Sequence, residues 1–125
     1  MRNLMKRQRI VPMSPSTHET SQRFIRSVHG SYLRVRLGFV GKYRNTCEHW
    51  YIEDMNGKYL RANPSGFIDL ADQDRAWEEW TIVRNSNGTV SFLSHHGTWL
   101  RAEKDGEVSL GMRSNEDEQF TLRCW

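Results

Sequence analysis

The stretch HHGTWLRAEKDGEVSL (His95–Leu110) decides how this chain folds. Apolar and polar residues alternate up to Ala102, Asp105-Gly106 supplies residues that tolerate positive φ, and alternation resumes at Val108, which is the pattern of two short strands joined by a tight turn. Shorter echoes stand earlier, as HGSYLRV (His29–Val35) and NGKYLRA (Asn56–Ala62). A phrase written three times in one short chain implies three copies of one structural unit.

Extended from their glycines, the units read GSYLRVRLGFV from Gly30, GKYLRANPSGFIDL from Gly57 and GTWLRAEKDGEVSL from Gly97. Each is an aromatic-Leu-Arg strand, a turn ending in glycine (Gly38, Gly66, Gly106) and a second apolar strand. An E-x-[WF]-x-[IL] element closes each unit: Glu48–Ile52, Glu78–Ile82 and Glu118–Leu122. The acidic run ADQDRAWEE (Ala71–Glu79) breaks the alternation and reads as a loop with one helical turn. No window carries a sustained apolar stripe of helical period, so the chain is all-β.

Strands are expected at 22–28, 31–36, 38–42, 48–54, 58–62, 66–70, 80–85, 89–94, 98–102, 107–110 and 119–124. One hairpin cannot bury its apolar face in water, whereas three related units about a pseudo-threefold axis can close a barrel around a shared core. That architecture is the β-trefoil, with Tyr32, Tyr59, Trp99, Trp50, Trp80 and Phe120 as expected core layers. A complete trefoil has twelve strands; this sequence offers eleven, the shortfall lying between the first and second units. Either EHWYIED (Glu48–Asp54) closes one unit and opens the next, or Ile10 and Val11 of the leader fill the place, or a second chain pairs there.

At 125 residues and 14.8 kDa, the chain accommodates one core. Residues 1–20 read as a flexible basic leader and 21–125 as the folded domain. Five Trp, five Phe and four Tyr supply large buried area despite a mean hydropathy of −0.76. The formal charge of +3 is unevenly placed: residues 1–52 sum to +8 and residues 53–125 to −5. Without the leader's Arg2, Lys6, Arg7 and Arg9 the remainder is near neutral, which points away from a basic nucleic-acid-binding domain. No apolar run is long enough for a membrane span or a signal-peptide core. Cys47 and Cys124 have no metal-ligand spacing and read as reduced thiols of a cytoplasmic or nuclear protein.

The run SFLSHHGTWLRAEKDGEVSL (Ser91–Leu110) with EQFTL (Glu118–Leu122), together with GKYLRA (Gly57–Ala62) and EEWTI (Glu78–Ile82), resembles a repeat of the fascin-like, actin-cross-linking β-trefoils. The resemblance covers about residues 22–125 and is strongest in the last two units. It implies a non-enzymatic protein-interaction module with F-actin as partner, without cofactor or metal, and with a homodimer if filaments are to be cross-linked. Sugar- or glycosaminoglycan-binding trefoils are the alternative, as is nucleic-acid or membrane contact through the leader.

Candidate partner-binding residues are the repeated Arg34, Arg61 and Arg101, with Arg36, Lys42 and Arg44, and the pre-glycine His29 and His96. The arginines follow an inward leucine by one position, so alternation sends them outward, where they pair with carboxylates such as Glu103 or form a basic ring. The histidines occupy turn positions that tolerate unusual backbone angles or form a pH-responsive set of imidazoles. Ser94, His95 and His96 do not make a nucleophile–base pair, because neighbours along a strand face opposite sides.

Overall fold

The structure, a computed structural model, describes residues 20–43 and 47–124. Ten antiparallel strands run in the order β1 (Thr20–Ser27), β2 (Tyr32–Tyr43), β3 (Cys47–Glu53), β4 (Tyr59–Ala62), β5 (Ile68–Ala71), β6 (Glu79–Arg84), β7 (Val90–Leu93), β8 (Trp99–Ala102), β9 (Val108–Gly111) and β10 (Phe120–Cys124). Single 3₁₀ turns at Ala76–Glu78 and Glu116–Glu118 precede β6 and β10. All but Thr20 of the expected leader lies outside the described residues.

Pairing closes a ring of six strands, β1–β2–β3–β6–β7–β10 and back to β1. Hairpins β4–β5 and β8–β9 branch from it, each tied to the ring by one register pair, Glu53 with Tyr59 and Leu93 with Trp99. Closure removes exposed edges from the ring and leaves them on β5 and β9.

Alternation sets the interior. Leu33, Val35 and Leu37 of β2 face inward with Ile25, Ile52, Trp80, Phe92 and Phe120, while Leu60 and Leu100 bring the hairpins onto the same core. Trp80 is fully buried, and its indole N–H donates to the Leu60 carbonyl at 3.1 Å, so the largest core side chain leaves no polar atom unpaired. Burial of each such side chain stabilises the fold by roughly 1.5–3 kcal/mol.

Several expectations are corrected. Tyr32, Tyr59 and Trp99 are half-buried rather than core. Each precedes an inward leucine by one residue, and consecutive strand residues cannot face the same side. Trp50 is also half-buried and packs against the core from its rim. The segments 31–36 and 38–42 form one strand, β2, with a register shift between Phe39 and Gly41. Gly38 is therefore no turn residue. It lies opposite Tyr51, and a Cβ there would come within 1.8 Å of the tyrosine ring.

The shortfall in strands follows from that straight run. Residues 50–53 stand to the turn at 54–58 as residues 90–93 stand to the turn at 94–98, so β3 opens the second unit. Glu48-His49-Trp50 lies inside β3, and Glu48 accepts from the Trp50 indole at 3.2 Å instead of holding a 3₁₀ turn. The second and third units are copies offset by forty residues, each with a hairpin and a 3₁₀ turn. Among the described residues the first unit shows neither, and β2 continues where β4 and β8 end.

Candidate functional site

Six five-residue turns share one geometry: 27–31, 54–58, 63–67, 85–89, 94–98 and 103–107. In each, the first N–H donates to the fifth carbonyl at 2.7–2.9 Å, and the glycine N–H at position four donates to the first carbonyl at 2.9–3.2 Å. Gly57, with φ of 82°, illustrates why position four is glycine. Where position one is Ser27, Asp54, Asn63 or Ser94, its side chain also accepts the N–H two residues on. The sequence signal is a polar residue followed three places later by glycine, and it catches one copy, at 85–89, that lies outside the aromatic-Leu-Arg units.

His29 and His96 sit at the third position of their turns, as Asn56 does in the second unit. They meet different neighbours. His29 is mostly covered, with its Nε2 3.0 Å from an Asp117 oxygen, in a geometry that is not that of an aligned hydrogen bond. His96 is exposed and packs edge-on against Trp77 at 5.3 Å and His95 at 5.2 Å.

The arginines are drawn into ion pairs. Arg61 grips Asp69 with two hydrogen bonds of 2.8 and 2.5 Å, and this contact raises the arginine pKa. Arg101 donates to Asp117 at 3.2 Å, with its Nε 3.1 Å from Glu103 and 3.6 Å from Glu118. Arg36 lies 3.7 Å from Glu53, its cross-strand partner. Arg34 is half-buried on β2. Lys42 is placed only by its backbone at the far end of β2, and Arg44 lies outside the described residues.

Glu78 and Glu118 are buried glutamates at equivalent positions, 3 % and 2 % exposed. Each carboxylate accepts the backbone N–H three residues earlier, from Arg75 at 2.8 Å and from Asn115 at 2.9 Å, folding the chain into the 3₁₀ turn ahead of the core aromatic. This explains the glutamate in the E-x-[WF] signature of these two units: it satisfies a backbone donor beside the core.

Around Glu78 the second unit opens into a cleft of 380 Å³, lined by Arg61, Leu70, Ala71, Asp72, Gln73 and Arg75. Arg75 donates to Gln73 at 2.5 Å, and Asp72 is paired with Lys58. That pairing raises the Lys58 pKa and lowers that of Asp72. Beside the cleft, Asp74 has one buried oxygen without a hydrogen-bond partner, and burial with the neighbouring Glu79 and Glu78 charges pushes its carboxyl up to about 6. Tyr59 is shifted upward too, by burial and then by the Glu53 charge.

Cys47 is exposed at the start of β3. Among the described residues, no helix is long and apolar enough to cross a membrane, and no group of three or more His, Cys, Asp or Glu side chains is arranged to hold a metal ion. No protein-family model matches the chain, and neither does any curated protein.

Proposed function

We propose that the chain is a β-trefoil of fascin-like type lacking the hairpin of its first unit, and that it works in the cytoplasm as a non-enzymatic protein-binding module whose partner is filamentous actin. The supporting observation is the forty-residue correspondence of the second and third units, strand for strand and turn for turn, around one core. The partner rests on the resemblance of residues 57–82 and 91–122 to the actin-cross-linking repeats. Arg61 and Arg101 hold their carboxylates closely, and the proposed basic contribution to an acidic filament comes from Arg34, Arg36, Lys42 and Arg44, with His29 and His96 at the turns.

Cosedimentation of the full chain with actin filaments is the test. Pelleting that saturates, and that weakens about tenfold in an Arg36→Glu, Lys42→Glu, Arg44→Glu variant with an unchanged melting curve, supports the proposal. A chain that stays in the supernatant at low salt ends it.

A further inference from the structure

The second and third units carry the same arginine and the same buried glutamate, yet they use them differently. In the third unit Arg101 lies over Glu118, and its guanidinium is shared with Glu103 and Asp117. The second unit has Asn63 and Trp77 at the places of Glu103 and Asp117, so those two acceptors are missing. Asp69, standing where the third unit has Ser109, takes Arg61 by two hydrogen bonds instead. Gly111 shows the same divergence: a Cβ there would come within 2.5 Å of the Glu118 carboxylate, whereas Ala71 at the matching place carries one. The 380 Å³ cleft beside Glu78 lies where the second unit departs from the third in these ways.

Its lining specifies a ligand. Arg61 and Arg75 only donate hydrogen bonds, Asp72 and Glu78 only accept them when ionised, and the Gln73 amide does both. With the partners that Arg61 and Asp72 already hold, the cations Lys58, Arg61 and Arg75 stand against the carboxylates Asp69, Asp72 and Glu78, so the lining is balanced in charge and favours neither a net anion nor a net cation. A group that fits donors and acceptors at once is the hydroxyl, and several on one frame would be needed to use them. Leu70, 36 % exposed, adds an apolar contact suited to the C–H face of a ring. The volume lies within the roughly 300–1,000 Å³ of small-molecule sites, and the floor is a carboxylate already immobilised by the Arg75 N–H.

We infer that this cleft is a saccharide-binding site that takes one neutral pyranose ring, with Gln73 and Arg75 contacting its hydroxyls and Leu70 its apolar face. The site exists whether or not the module also binds actin.

The full-length chain is titrated with glucose, galactose and N-acetylglucosamine at millimolar concentration, following the side-chain signals of Gln73 and Arg75 by NMR, and is screened against a panel of immobilised oligosaccharides. Saturable shifts at those two residues are expected. Gln73→Ala should weaken binding about tenfold, as the loss of a hydrogen bond in a charged site does. Asp69→Ser should free Arg61 to lie over Glu78 and close the cleft, with a similar or larger loss. Arg113→Ala, the matching position in the third unit, should leave binding unchanged, and melting curves of all variants report folding. Absence of shifts and of any panel binder overturns the inference, as does binding that survives both Gln73→Ala and Asp69→Ser. Cosedimentation with actin is measured separately, so either result stands without the other.

Discussion

At the scale of single residues, two positions work against the fold's stability or constrain it. Asp74 is the first. Its folded carboxyl titrates near 6, against about 3.9 in an unfolded chain, so the native state holds a proton that the unfolded state releases. Stability from this group is therefore present below about pH 4 and is lost as pH rises through about 6. Asp74→Asn should raise the melting temperature at neutral pH and flatten that part of the stability profile; because Asp74 is only half-buried, the gain is about 1 kcal/mol. Thermal melts from about pH 4 to 8 check it, and an unchanged profile would contradict it. Gly38 is the second. A methyl group there meets the Tyr51 ring in the middle of the β2–β3 ladder, so Gly38→Ala should cost about 1–3 kcal/mol in urea unfolding. Pairing it with Tyr51→Ala should recover part of the loss.

At the scale of elements, the five-residue turn and the glutamate-held 3₁₀ turn are the recurring parts. Glu118 accepts the Asn115 N–H, sits against Gly111 and faces Arg101. Glu118→Ala leaves that N–H without its acceptor and should cost about 1–3 kcal/mol, whereas Glu118→Gln retains the acceptor oxygen and should cost less. Denaturant midpoints of the pair distinguish a hydrogen-bonding role from simple filling of space. These elements differ in how far the sequence discloses them. The turns are plain in it, because position four demands glycine and position one a short polar side chain. The role of the buried glutamates is not: Glu48 of EHW falls within the expected strand at 48–54, but nothing in the sequence says that Glu78 and Glu118 each hold a backbone N–H three residues earlier.

At the scale of the whole molecule, the ring has to be closed between its first and last strands. β1 and β10 pair through five residues, from Arg23–Cys124 to Ser27–Phe120, while β7 and β10 share only Val90–Phe120. The contact of His29 with Asp117 joins the first unit's turn to the third unit's 3₁₀ turn across that junction. His29→Ala and Asp117→Ala should thus be non-additive, with a coupling of about 0.5–1 kcal/mol in a double-mutant cycle; additive losses would show that the contact carries no energy. The sequence by itself determined the all-β class, the hairpin turns and the shared pattern of the last two units, because alternation and turn chemistry are local and are written residue by residue. Only the tertiary structure decided that β2 runs straight through Gly38, that six strands close a ring from which two hairpins branch, and that Arg61 and Arg101 part ways. Those outcomes depend on groups far apart in the chain, a tyrosine ring across a ladder or a carboxylate sixteen residues on, and no periodicity in the sequence records which distant partner an identical motif will meet.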